Sequence, residues 1–164
     1  MVDAACDEMG KRFQSERQPP ALTSNEIAGT NLSENDTNEP VLPSTLCRLV
    51  RPGIARLVLE DGKAVVYHCA DNSRVFHENP LSPLEYEIDD GPALEQLLTT
   101  YEPSWISVND LIHDTIEDKI AIAKSLFDEG ILALQNPVWA HPDSGAKHEQ
   151  FFLNMGGQNA EFVV

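Results

Sequence analysis

Positive charge is scarce in this chain. Only 11 Lys and Arg stand against 27 Asp and Glu, a net charge of −16. Nucleic acids and anionic membranes are polyanions, and a protein that binds them needs cations to displace their counterions. The balance therefore speaks against both and favours basic protein partners, such as histone or ribosomal-protein tails. Cysteine is also sparse: Cys6, Cys47 and Cys69, with no Cys-x-x-Cys pair. That odd count excludes a disulfide framework and a zinc ribbon, and it fits a reducing compartment. No apolar run approaches the roughly 18 residues of a membrane span, and no signal-peptide core is present. There is no internal repeat and no Gly-x-Ser-x-Gly, and Gly156-Gly157 resembles no phosphate loop.

The patterned stretches form a definite order. Residues 1–29 end a helix at Pro19-Pro20 and continue into a capped turn, with Thr23 and Glu26 at capping-box spacing. This segment has too few apolar residues to fold alone. Residues 30–45, TNLSENDTNEPVLPST, are polar with two prolines and read as a flexible linker. Ala55 to Glu60 and Lys63 to Cys69 flank Asp61-Gly62, a strong hairpin signal. A turn at Asp71-Asn72-Ser73 leads toward a third strand at Arg74 to His77, and Leu57, Leu59, Val65, Tyr67 and Val75 are candidates for the core face of this meander.

Helices follow. Asp89 or Asp90 can cap one with Pro92 in its first turn and an apolar face of Leu94, Leu97, Leu98 and Tyr101. Ser107 and Asp110 bracket a one-turn helix. Asp114 and Glu117 then form a capping box for a longer helix, with Ile116, Ile120, Ile122, Ala123, Leu126 and Phe127 on its apolar stripe and Gly130 after its last turn. Ile131 to Leu134 reads as a buried strand. The expectation is an α+β, winged-helix-like domain over residues 46–136, a meander followed by three helices and a strand. Residues 137–164 read as an irregular tail.

In winged-helix and helix-turn-helix proteins the last of three helices often lies in the DNA major groove. Here that helix bears Asp114, Glu117, Asp118, Asp128 and Glu129 against Lys119 and Lys124. Its polar face would repel phosphate, so no direct DNA binding is expected. Glu117, Asp118, Asp128 and Glu129 are instead the candidate acidic interaction face toward a basic protein. His141-Pro-Asp143 with His148 has the letters of a His-x-Asp…His iron triad, but such ligands project from a rigid barrel, and a five-residue return within a turn-rich stretch is too short. His68 and His77 read as sheet residues, and His113 as a turn residue. Cys69 beside His68 is no nucleophile signal, since strand neighbours point to opposite faces. Trp105 and Trp139 read as core or cover residues. No residue is assigned a catalytic, cofactor-binding or metal role.

Three long stretches carry a resemblance: 48–80 (RLVRPGIARLVLEDGKAVVYHCADNSRVFHENP), 84–103 (LEYEIDDGPALEQLLTTYEP) and 108–132 (VNDLIHDTIEDKIAIAKSLFDEGIL), with KRFQ (11–14) and PPALT (19–23) before them. They are similar to the C-terminal part of the JmjC ribosomal oxygenases. The resemblance implies that residues 1–29 are a remnant of the family's helical dimerisation region and 46–136 its winged-helix domain. For the full-length protein it implies an Fe(II)- and 2-oxoglutarate-dependent barrel that hydroxylates a ribosomal-protein histidine, an ascribed histone lysine demethylase activity, a homodimer, and a place in nucleolus and nucleoplasm. The iron-binding His-x-Asp…His of that barrel has no counterpart at matching positions here. The chain is then expected to be a fragment or isoform serving dimer or protein contacts, or else a stand-alone acidic interaction module.

Overall fold

The computed structural model describes residues 2–31, 40–70 and 82–136, apart from the side chains of residues 2–4 and 15. Helix α1 (Val2–Glu16) comes first. A short helix α2 (Ser24–Ile27) follows, with the expected capping box: Thr23 caps it, and Glu26 accepts from the Thr23 backbone N–H at 2.8 Å. Glu26 then clamps Arg51 through two contacts of 2.6 Å.

Strand β1 (Leu46–Leu49) opens the core of the fold. Strands β2 (Ala55–Glu60) and β3 (Lys63–His68) form the predicted hairpin, Glu60 opposite Lys63 and Ala55 opposite His68. Its turn needs positive φ at both central residues, and Asp61 (51°) and Gly62 (77°) supply it. The third strand of the meander is β4 (Leu84–Glu87), paired with β3. Its alternation of apolar and acidic residues is the period-2 signature of a half-buried strand. The strand expected at 74–77 lies outside the described residues, as does Val75.

The core-face assignment within the hairpin needs correction. Leu57 pairs with Val66 and Leu59 with Ala64. Leu57 and Leu59 therefore share a face with Ala64 and Val66, not with Val65 and Tyr67. Val58 and Val65, each 5% exposed, lie on the opposite face with Arg56, Glu60 and Tyr67, where α1 packs. Both faces of this sheet are covered, which defeats a simple inside–outside alternation. Leu59, at the hairpin end, is 62% exposed.

A 3-10 turn over Ile88–Asp90 leads into α3 (Gly91–Thr99), with Asp90 at its N-cap and Pro92 in its first turn. Leu94 and Leu97 are fully buried, but Tyr101 is exposed, because the helix stops at Thr99 and the chain turns extended at Thr100. Strand β5 (Ile106–Ser107) precedes the expected one-turn helix, Val108–Asp110, capped by Ser107. Helix α4 (Ile116–Asp128) is capped by Thr115 rather than Asp114. Thr115 is the extended residue, its Oγ1 accepts from the Asp118 N–H at 3.2 Å, and Asp118 in turn accepts from the Thr115 hydroxyl. The helix ends at Gly130, φ 72°, and strand β6 (Leu132–Gln135) follows.

Strands β5, β1 and β6 form one sheet and β2, β3 and β4 the other. Between them Leu49, Leu94, Leu97, Leu126, Ile131 and Leu132 make the centre of the core. Residues 29–30 and 43–45 make contact with this core. The Gly29 carbonyl accepts from Leu134 N–H at 2.8 Å, and Thr30 and Thr45 are buried. The Pro43 carbonyl accepts from Asn109 N–H and Ser107 Oγ.

Candidate functional site

The four carboxylates of the proposed acidic face are all exposed, yet α4 separates them into two groups. Glu117 and Asp118 occupy its first turn, and Asp128 and Glu129 its last, about 16 Å further along the axis. At the C-terminal end Asp128 is held by Lys124 at 2.6 Å, and its carbonyl accepts from Asn31. Glu129 lies 3.9 Å from Nε2 of the buried His68. The two lysines of α4 are occupied as well: Lys124 by Asp128, and Lys119 by the Asn109 carbonyl at 2.8 Å.

The first turn of α4 belongs to a larger feature. The N-termini of α3 and α4 converge on a groove of about 730 Å³ lined by Glu87, Asp89, Asp90, Asp114 and Asp118, with Pro92, Leu111 and Ile112 as its apolar part. His113 stands at the junction, its side chain only 11% exposed. Its Nε2 lies 3.1 Å from Asp90 Oδ1, and its Nδ1 accepts from the Thr115 N–H at 3.3 Å, with Asp118 Oδ2 3.7 Å away. One imidazole thus ties the cap of one helix to the cap of the other. The groove carries negative charge beside the exposed Ile112, and no Lys or Arg is among its lining residues. His113, expected to be only a turn residue, therefore has a bridging role. The available signal was the parallel placement of Asp89-Asp90 and His113-Asp114, each just ahead of a helix start.

Neither a metal-ligand cluster nor a reactive buried thiol is assembled among the described residues. Among the described residues no group of three His, Cys, Asp or Glu is placed to hold a metal ion. Around His113 the two carboxylates approach opposite ring nitrogens, so they cannot converge on one ion with it. These residues do not fit the iron that the family resemblance implies for a longer protein. His141, Asp143 and His148 lie outside the described residues, as do His77 and Trp139. Cys47 is fully buried, and burial pushes its thiol up to about 12; burial also raises that of Cys69, whose Sγ faces the Ile54 carbonyl. A thiol held protonated is a poor nucleophile. Trp105 is a half-buried cover residue under the Arg48 guanidinium, 4.3 Å from the ring centre.

Two small antiparallel sheets around a helical unit, with the last helix leading into a returning strand, define a winged-helix domain. The family model described as ribosomal oxygenase 1, C-terminal winged helix domain, matches residues 13–138, which takes in α2 and the end of α1. The chain belongs to that family. It is 34% identical over 144 residues to a Branchiostoma floridae protein named bifunctional lysine-specific demethylase and histidyl-hydroxylase NO66, covering 83% of this chain and 24% of the relative. It is 35% identical over 149 residues to ribosomal oxygenase 1 of Rattus norvegicus (84% and 24%) and 34% identical over 146 residues to that of Homo sapiens (84% and 23%). The chain spans about a quarter of the length of these curated relatives.

Proposed function

We propose that this chain is a protein-contacting accessory domain of an oxygenase polypeptide and does no chemistry itself. The observation that carries the reading is the acidic groove between the caps of α3 and α4, joined to family membership. Five carboxylates beside an exposed isoleucine suit a basic segment of a ribosomal protein or histone: charge steers the encounter, and apolar contact adds affinity. The engagement of both α4 lysines within the fold argues against DNA as the partner. The whole polypeptide would be a nuclear and nucleolar Fe(II)- and 2-oxoglutarate-dependent oxygenase, a histidyl hydroxylase or lysine demethylase as one relative's name has it, acting on a ribosomal protein or histone and homodimeric through its helical region. Iron and 2-oxoglutarate would be bound elsewhere in it.

Two measurements test this. An antibody against residues 46–136 should detect an endogenous species several times larger than 18.1 kDa; a lone band near that mass would favour a stand-alone acidic interaction module. The purified chain should turn over no 2-oxoglutarate when supplied with Fe(II). Turnover would contradict the accessory role.

A further inference from the structure

Helix α1 is attached to the rest of the domain the wrong way round for a core helix. Its exposed positions include Cys6, Met9 (73% exposed) and Phe13 (62% exposed). The side turned to the sheet is polar. Asp7 pairs with Arg56 at 3.0 Å, and Lys11 pairs with Glu60 at 2.6 Å and lies 5.8 Å over the Tyr67 ring. Gln14, 4% exposed, donates to the Gly53 carbonyl at 2.9 Å. Gly10 sits against the Arg56 side chain so closely that an added Cβ would lie 2.6 Å from Nε. Among the described side chains of α1, Gln14 alone is buried, and no apolar anchor holds the helix. Beneath it lie Val58 and Val65, which share their sheet face with Arg56, Glu60 and Tyr67.

We infer that α1 is a releasable strap: an electrostatically held segment that covers the outer face of the β2–β3–β4 sheet and detaches as a unit without unfolding the domain. Two physical arguments support this. The pairs that hold α1 still reach solvent, Asp7–Arg56 nearly half exposed and Lys11–Glu60 at 17% and 28%, and solvent-accessible ion pairs contribute little and weaken with salt, whereas the groups of the main core depend on apolar burial. A helix of 15 residues is marginal by itself in water, so α1 loses its helix when it loses its dock. Local opening is expected where buried apolar contacts are few. Release would uncover Val58, Val65 and Tyr67 together with the freed charge of Arg56, a surface closed to partners while the strap is on.

Amide hydrogen exchange of the full 164-residue chain, followed by mass spectrometry at low and high NaCl, tests the strap. Peptides from residues 5–16 should exchange far faster than those from 116–128. They should speed up about threefold to tenfold at high salt, while α4 stays unchanged. Glu60→Gln should reproduce the acceleration at low salt, and Met9→Gln should leave it alone. Protection of 5–16 equal to that of α4, or indifferent to salt and to Glu60→Gln, would overturn the inference. So would protection that rises with protein concentration or falls in Met9→Gln, since either would mean the outer stripe is buried in self-association.

Discussion

Nε2 of His113 lies 3.1 Å from Oδ1 of Asp90, joining the loop ahead of α4 to the cap of α3 across the acidic groove. Neither residue is near the other in sequence, and both line the groove. His113→Ala removes this contact and the acceptor for the Thr115 N–H. The variant should lose about 1.5–3 kcal/mol of stability, the range for a hydrogen bond to a charged group, measurable by urea denaturation. It should also weaken any ligand of the groove more than that loss alone explains.

Gly29 should resist substitution. Its φ is 82°, and an added Cβ would lie 2.5 Å from the Leu134 carbonyl oxygen. Gly29→Ala should cost about 1–3 kcal/mol, and more than Gly53→Ala, where φ is 76° but the space is open. Thermal melts of the two variants side by side check the order.

The Glu26–Arg51 clamp predicts an acid-side loss of stability. The Arg51 guanidinium, helped by Thr23, holds the Glu26 carboxyl down at about 2, against an ordinary 4.5. Between those values the unfolded chain binds the proton and the folded chain does not. The clamp's contribution is thus complete above about pH 4.5 and is lost as pH falls toward 2. Glu26→Gln should be less stable at neutral pH and show a shallower decline through that window, followed by denaturant midpoints at a series of pH values.

Leu126 is fully buried between the sheets. Leu126→Ala should cost about 2–5 kcal/mol, the combined transfer and cavity penalty of a core leucine. If the loss is under 1 kcal/mol, α4 does not pack as described.

Much of the fold was legible because local chemistry and tertiary packing agree. Asp61-Gly62 set the hairpin, Thr23 and Glu26 set the cap of α2, and Gly130 ended α4. The errors arose where a distant element decides. The hairpin's faces were themselves legible, since the two-residue Asp61-Gly62 turn sets Glu60 opposite Lys63 and so Leu57 opposite Val66; what the local pattern does not announce is that α1 covers the second face, with Val58 and Val65. Thr115 displaced Asp114 as cap because both residues are competent and only the backbone path chooses. The acidic character of the site was visible in composition. Its assembly was not, since Asp90 and His113 meet only through the packing of α3 against α4. The length of α4 splits the four carboxylates of the proposed face into two groups, and the packing of α3 brings Glu87, Asp89 and Asp90 beside Asp114 and Asp118.

The central claim is that this winged-helix domain presents its acidic groove to basic protein rather than to DNA. The most direct test is a pair of fluorescence anisotropy titrations at low salt, one with a Lys/Arg-rich peptide and one with duplex DNA. The account predicts saturable peptide binding that weakens with salt and with Asp114→Asn, and no binding of DNA. Salt-sensitive DNA binding, with the peptide ignored, would contradict it.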